Sequence, residues 1–303
     1  MPNIALLFPG QGAQAVGMGR GLLERSARAR ELFEIASGIL GFDLAKLCID
    51  GPEQELHLTS NAQPALFVHS MAALTIFLEE KPDISSSVVA VAGLSLGEYS
   101  ALAAAGAITF EDGVRLVQER GAAMQEAASA VDSGMASVLG LDRAQLDTLC
   151  DVSRQTGEIL HVANLLCPGN IAISGHSASL TEAEKRSADA GASRFIRLNV
   201  AGAFHTDIMK PAVQRLSAAI AGTTFSPLRF PLYANVDSQP HVQPSEIAEL
   251  LTQQMVSPVL WESTLRNLLS VGVDMFYEIG AGRVLAGTLK RVDRKACCEC
   301  YGD

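Results

Sequence analysis

The feature that most restricts how this chain can fold is an apolar run, Val88–Ala92, entering directly into Gly93-Leu-Ser95-Leu-Gly97. A helix-forming stretch, Ser100–Ala107, follows at once. A strand that must turn sharply into a helix belongs to an open, mainly parallel sheet covered by helices. Ile4–Phe8 reads as a second buried strand, stopped by Pro9-Gly10, and Phe110–Ala128 repeats apolar residues at helical spacing. The chain is therefore expected to be α/β with a parallel sheet.

Between residues 129 and 200 the texture changes. Short strand-like pieces (Met135–Leu139, His161–Asn164, Asn170–Ser174, Ser193–Leu198) alternate with helical stretches at Arg143–Gln155 and Ser179–Ala190. That order resembles a small split β-α-β unit set into a larger one. The expected organisation is a large α/β-hydrolase-like domain from residues 1–128 and 201–303, with a small ferredoxin-like α+β insertion at 129–200. No apolar run reaches the ~18 residues of a membrane span. No basic stretch precedes a long apolar segment at the N-terminus, so the chain is expected to be cytoplasmic. A net charge of −10 argues against broad nucleic-acid binding. The six cysteines lack metal-site spacing, and Cys297, Cys298 and Cys300 read as a reduced tail. Beside them Lys290, Arg291, Arg294 and Lys295 form either a local basic patch or a solvated face.

Gly93-Leu-Ser95-Leu-Gly97 fits a nucleophile elbow, in which small flanking residues let the serine side chain stand clear of a tight turn. The N–H of Leu96, at the start of the following helix, would then face a developing oxyanion. A Gly-Ser turn capping a helix is the plainer alternative. A serine needs a base. Of six histidines, His205 follows the serine and lies between the strand-like Phe195–Val200 and a helix carrying Ile208, Met209, Val213, Leu216 and Ile220. Arg120 falls on the apolar stripe of its helix with Leu116, Val117, Ala123 and Met124, whereas Arg115 is flanked by Glu111 and Glu119 as in a surface ion pair. A buried guanidinium is costly unless paired, so Arg120 meets either an internal carboxylate or that of a ligand. Gly10-Gln-Gly12-Ala-Gln-Ala15 imitates a dinucleotide fingerprint, but no second strand ends in an acidic residue at the required distance. These glycines instead suit a backbone whose N–H groups face a ligand.

Together these pieces resemble the malonyl-CoA:acyl-carrier-protein transacylases. The likeness is carried by Phe8-Pro-Gly-Gln11-Gly, the Ser95-Leu-Gly-Glu-Tyr-Ser elbow, Arg120-Gly-Ala-Ala-Met-Gln, Ala163-Asn, Pro168-Gly-Asn-Ile, Gly202-Ala-Phe-His205, Gln254 before Ser257-Pro-Val, and Glu278-Ile-Gly-Ala-Gly. It runs in order from residue 4 to about 291. The resemblance implies that Ser95 attacks malonyl-CoA with His205 as base, and that Gln254 orients the histidine through its main-chain carbonyl. It implies that Gln11 and Leu96 donate N–H groups to the oxyanion, and that Arg120 holds the malonyl carboxylate. Phe204 would exclude an α-methyl branch. The malonyl group would pass to the phosphopantetheine thiol of an acyl carrier protein. Coenzyme A enters as a thioester substrate; no metal or redox cofactor is implied, and a monomer is expected. Leu94 departs from the family's usual histidine and lines the site. The rival readings are a carrier-loading acyltransferase of polyketide synthesis or malonate decarboxylation, a serine esterase, and a carrier-binding scaffold.

Overall fold

The computed structural model describes residues 2–302, in which ten strands form two sheets of different kinds. In chain order they are β1 (Ile4–Phe8), β2 (Val88–Gly93), β3 (Ser133–Leu139), β4 (Leu160–Cys167), β5 (Asn170–His176), β6 (Arg194–Arg197), β7 (Leu232–Tyr233), β8 (Pro240–His241), β9 (Met275–Ile279) and β10 (Cys297–Tyr301). The larger sheet has the order β10-β9-β1-β2-β7-β8 and is parallel except at the final β7–β8 pair. Alternation along β1 sends Ile4, Leu6 and Phe8 into one core and Ala5 and Leu7 into the core on the opposite face. Burial on both faces explains why β1 and β2 read as continuous apolar runs rather than alternating ones.

The smaller sheet, β4-β5-β3-β6, is antiparallel and carries the helices Arg143–Ser153 and Ser177–Ser187 over its own core. It is tied to the rest of the chain beside β4, where Val259 donates to Ala163 O and accepts from Leu165 N at 2.8 and 2.9 Å.

Two long helices, Thr59–Glu80 and Phe110–Ser129, lie against each other under the large sheet. Gly113 and Gly121 make that closeness possible: a Cβ on the first would sit 2.2 Å from the Phe67 ring, and on the second 2.8 Å from Thr59 O. The close approach brings Gln63 of one helix to Arg120 of the other.

Some expectations need correcting. The helix after the elbow spans Gly97–Ala104, starting earlier than Ser100. Gly97 is an apt first residue, since a Cβ there would lie 2.0 Å from Phe8 O. Arg115 pairs with Asp112 at 3.2 Å, not with Glu111 or Glu119; Glu119 is taken by Arg215 at 2.7 Å. The cysteine-rich tail, its three cysteines free as expected, adds a strand that the sequence left open: β10, the edge of the large sheet, paired in parallel with β9.

Candidate active site

Ser95 stands at the turn between β2 and the helix Gly97–Ala104 with φ 51°. This left-handed backbone costs a non-glycine residue about 1–2 kcal/mol, so the surroundings must hold it. Packing does part of this. A Cβ on Gly93 would meet Gly97 C at 1.9 Å, and one on Gly10 would meet Leu94 O at 2.2 Å. Hydrogen bonds do the rest. Ser95 N donates to Asn235 Oδ1 at 2.7 Å, and Ser95 O accepts from Gln254 Nε2 at 3.0 Å. Asn235 Nδ2 also donates to Gly93 O at 2.7 Å, so one side chain grips both sides of the turn.

The Ser95 hydroxyl lies 2.9 Å from His205 Nε2, and His205 Nδ1 lies 2.8 Å from Gln254 O. A carbonyl can only accept, so Nδ1 carries the proton and Nε2 is left free to accept one from Ser95. Gln254 is the last residue of the helix Pro244–Gln254, where carbonyls lack intrahelical partners. The negative end of that helix thus stands where a carboxylate would otherwise orient the ring. His205 also has a left-handed backbone, φ 60°. Burial and then the nearby Arg120 charge depress its pKa from 6.5 to about 4, against the Gln254 and Ser257 backbone bonds that raise it.

Arg120 is 1% exposed, and among the described residues no carboxylate pairs with it. Its Nη1 donates to Gln63 Oε1 at 2.8 Å, and its Nη2 reaches both Gln254 Oε1 at 2.9 Å and Ser95 Oγ at 3.0 Å. The Tyr99 ring lies 5.3 Å from the guanidinium carbon, a cation–π distance. Burial draws the Arg120 pKa downward, with Tyr99 and Glu98 opposing. Amide oxygens and an aromatic face therefore carry a charge that an ion pair would ordinarily compensate.

The site opens into a cavity of about 250 Å³ lined by Gln11, Leu94, Ser95, Arg120, Phe204 and His205, with Met124, Met135, Asn164 and Val200 among the other walls. The N–H groups of Gln11 and Leu96 make no hydrogen bond to any described residue. Leu96 precedes the first turn of its helix, where N–H groups have no intrahelical acceptor. The eight residues expected to take part in the chemistry are gathered here: Gln254 and Leu96 are buried against the serine, and Gln11, Leu94, Ser95, Arg120, Phe204 and His205 line the cavity. Among the described residues, His, Cys, Asp and Glu side chains form no metal-holding group.

Sequence reading missed three participants. Gln63, fully buried, anchors Arg120; its signal was an amide inside the apolar run Ala62–Val68. Asn235 grips the elbow, although nothing in Ala234-Asn-Val marked it. Glu98 is fully buried under the elbow, accepts from Asn235 N at 2.8 Å, and has its pKa pushed from 4.5 to about 7, chiefly by burial.

A strand–serine–helix turn, a histidine oriented by a carbonyl and a buried arginine beside the serine define the class. The acyl transferase domain family matches residues 5–297, and the chain belongs to it. It is 41% identical over 97% of its length to the malonyl CoA-acyl carrier protein transacylase of Bacillus subtilis, covering 92% of that protein. It is 40% identical over 96% of its length to the mitochondrial enzyme of that name from Homo sapiens, covering 77% of it. Among solved structures, a malonyl-transacylase in complex with its type II polyketide synthase acyl-carrier protein aligns with TM-score 0.94 and 36% identity, over 99% of this chain and 96% of that one. These likenesses place the chain with the malonyl-CoA–acyl-carrier-protein transacylases.

Proposed function

We propose that this protein moves a malonyl group from coenzyme A to the phosphopantetheine thiol of an acyl carrier protein, through an ester on Ser95. His205 Nε2 takes the Ser95 hydroxyl proton as Oγ attacks the thioester carbonyl. The Gln11 and Leu96 N–H groups receive the negative charge that develops on the carbonyl oxygen. Collapse breaks the C–S bond, and the leaving thiolate takes the proton from His205. In the second half the carrier's thiol gives its proton to His205 and attacks the ester. Malonyl leaves on sulfur, and Ser95 recovers its proton. Coenzyme A is a substrate and no metal or redox cofactor enters any step.

The observation that carries this reading is Arg120. A buried guanidinium, lacking a carboxylate of its own and one hydrogen bond from the serine oxygen, suits an acyl group ending in a carboxylate. Burial is the main cause of the His205 depression, but that carboxylate would offset the Arg120 charge that adds to it, making the base stronger when the correct substrate is present. Neither feature serves a general esterase. Phe204, 5% exposed beside His205, crowds the carbon bearing the carboxylate and favours malonyl over methylmalonyl.

We read the large unit, residues 1–128 and 201–303, as α/β-hydrolase-like, on the strength of its parallel sheet and elbow. The insertion at 129–200 we read as ferredoxin-like. Its strand–helix–strand–strand–helix–strand sequence and its sheet order β6-β3-β5-β4 support that reading. No helix among the described residues is long and apolar enough to cross a membrane; we place the protein in the cytoplasm, as a monomer that binds no nucleic acid. The carrier is that of fatty-acid synthesis, with a polyketide carrier as second reading because one similar structure holds such a complex.

The test is transfer from malonyl-CoA and from acetyl-CoA to a carrier thiol. Strong preference for malonyl, abolished in Arg120→Ala, is expected. Equal use of both acyl groups, or release of free malonate faster than transfer, would contradict it.

A further inference from the structure

The chemistry above uses the Ser95 side chain, yet the buried side chain most closely engaged with the Ser95 backbone plays no part in it. Asn235 lies two residues beyond β7 and is fully buried. Its side-chain oxygen takes the Ser95 N–H at 2.7 Å, while its side-chain nitrogen donates to Gly93 O at 2.7 Å. Its own backbone is held at both ends: Asn235 N donates to Glu98 Oε2 at 2.8 Å, and Asn235 O accepts from Leu260 N at 2.8 Å. Glu98 stands on the first turn of the helix that Ser95 introduces, fully buried, and its other oxygen has no hydrogen-bond partner.

We propose that Asn235 is a positioning residue for the nucleophile, clamping the Gly93–Ser95 turn in its left-handed geometry, with Glu98 fixing Asn235 from beneath. The inference rests on the reading of Ser95 as nucleophile. Three features support it beyond ordinary satisfaction of a buried amide. The residue gripped is itself in a conformation that costs energy, φ 51°. Both polar atoms of the amide are spent on the two sides of one turn. By occupying the Ser95 N–H, the clamp also leaves the Leu96 and Gln11 N–H groups, which make no hydrogen bond to any described residue, as the free backbone donors of the site. A displacement of about 1 Å in a reacting group commonly costs on the order of 100-fold in rate. Loss of the clamp is therefore expected to slow acylation without weakening the hold on the substrate carboxylate, which belongs to Arg120.

The experiment follows single-turnover loading of malonyl from malonyl-CoA, together with labelling of Ser95 by a neutral sulfonyl fluoride, in Asn235→Ala, Asn235→Asp, Asn235→Ser and Arg120→Ala. For Asn235→Ala we expect kcat and the labelling rate to fall together by about 100-fold, with KM for malonyl-CoA within about threefold of wild type. Asn235→Asp keeps the acceptor for Ser95 N–H and should recover part of both losses. Arg120→Ala serves as the contrast: it should raise KM for malonyl-CoA, which Asn235→Ala leaves within about threefold of wild type. A merely structural asparagine would lower thermal stability while leaving kcat per folded molecule unchanged. Loading and labelling within about threefold of wild type in folded Asn235→Ala would overturn the proposal; where the alanine variant does not fold, the same result in Asn235→Ser, whose shorter side chain cannot reach both sides of the turn, would do so. Failure of the parent reading looks different: Ser95→Ala would still acquire a malonyl adduct.

Discussion

Arg120 Nη2 lies 3.0 Å from Ser95 Oγ, in hydrogen-bonding position to the hydroxyl that His205 Nε2 also faces at 2.9 Å. A cation and a base thus share one oxygen at the floor of the cavity. Under the proposed function the relationship would link what the site binds to what it does, because a carboxylate docked on Arg120 would place an acyl carbon beside that oxygen.

The first consequence concerns Arg120 itself. Arg120→Ala should lower kcat/KM for malonyl-CoA by at least about 100-fold, the scale of a lost charge-assisted pair. Arg120→Lys should recover little, since an ammonium cannot offer two parallel hydrogen bonds to a carboxylate. Steady-state kinetics on both variants decide the point. A lysine variant close to wild type would show that charge alone suffices.

Gln254 joins three groups: its carbonyl accepts from His205, its Oε1 accepts from Arg120 and its Nε2 donates to Ser95 O. Gln254→Ala removes the last two and leaves the first. A drop in kcat of roughly 10-fold is expected, since a hydrogen bond to a charged group contributes about 1.5–3 kcal/mol and the main-chain bond survives. Unchanged kcat would mean that only the backbone of residue 254 matters.

Much of this site was legible in sequence because its chemistry requires particular residue types at conspicuous places. Ser95 was marked by two glycines that cannot carry a Cβ, and Arg120 by a charge on an apolar stripe. What escaped was held by contacts remote in sequence. Asn235 reaches Ser95 across 140 positions and Gln63 reaches Arg120 across 57, distances at which periodicity is silent. The strand in the cysteine tail escaped for a similar reason. Its Cys-Cys-Glu-Cys-Tyr composition has no strand signature, and it becomes β10 by pairing with β9. The larger sheet was legible because β1 and β2 are buried on both faces, whereas β7 and β8, two residues each, were too short to see.

Two buried groups should make stability respond to pH in opposite senses. His205, depressed to about 4, binds fewer protons folded than unfolded between there and 6.5, so its share of stability falls as pH drops through that window. Glu98, raised to about 7, binds more protons folded than unfolded above 4.5, so its share falls as pH rises toward 7. Glu98→Gln removes the second effect. Relative to wild type it should gain on the order of 2 kcal/mol between pH 5 and pH 8, read from denaturant unfolding at each pH. A constant difference across that range would refute the assignment.

Phe204 should act on selectivity rather than on rate with malonyl. Phe204→Ala is expected to narrow the malonyl over methylmalonyl preference by about 10-fold or more, the scale on which a pocket discriminates a single methyl group. Competition between the two thioesters measures it directly. An unaltered ratio would place the discrimination elsewhere on the cavity wall, with Leu94 and Met135 the next residues to vary.

The most direct test of the central claim is the intact mass of the protein after brief exposure to malonyl-CoA, followed by addition of a carrier protein bearing its phosphopantetheine thiol. The account predicts one malonyl adduct on the wild type, none on Ser95→Ala, and loss of the adduct as the carrier gains the same mass. An adduct that persists on Ser95→Ala, or one that the carrier cannot discharge, would contradict it.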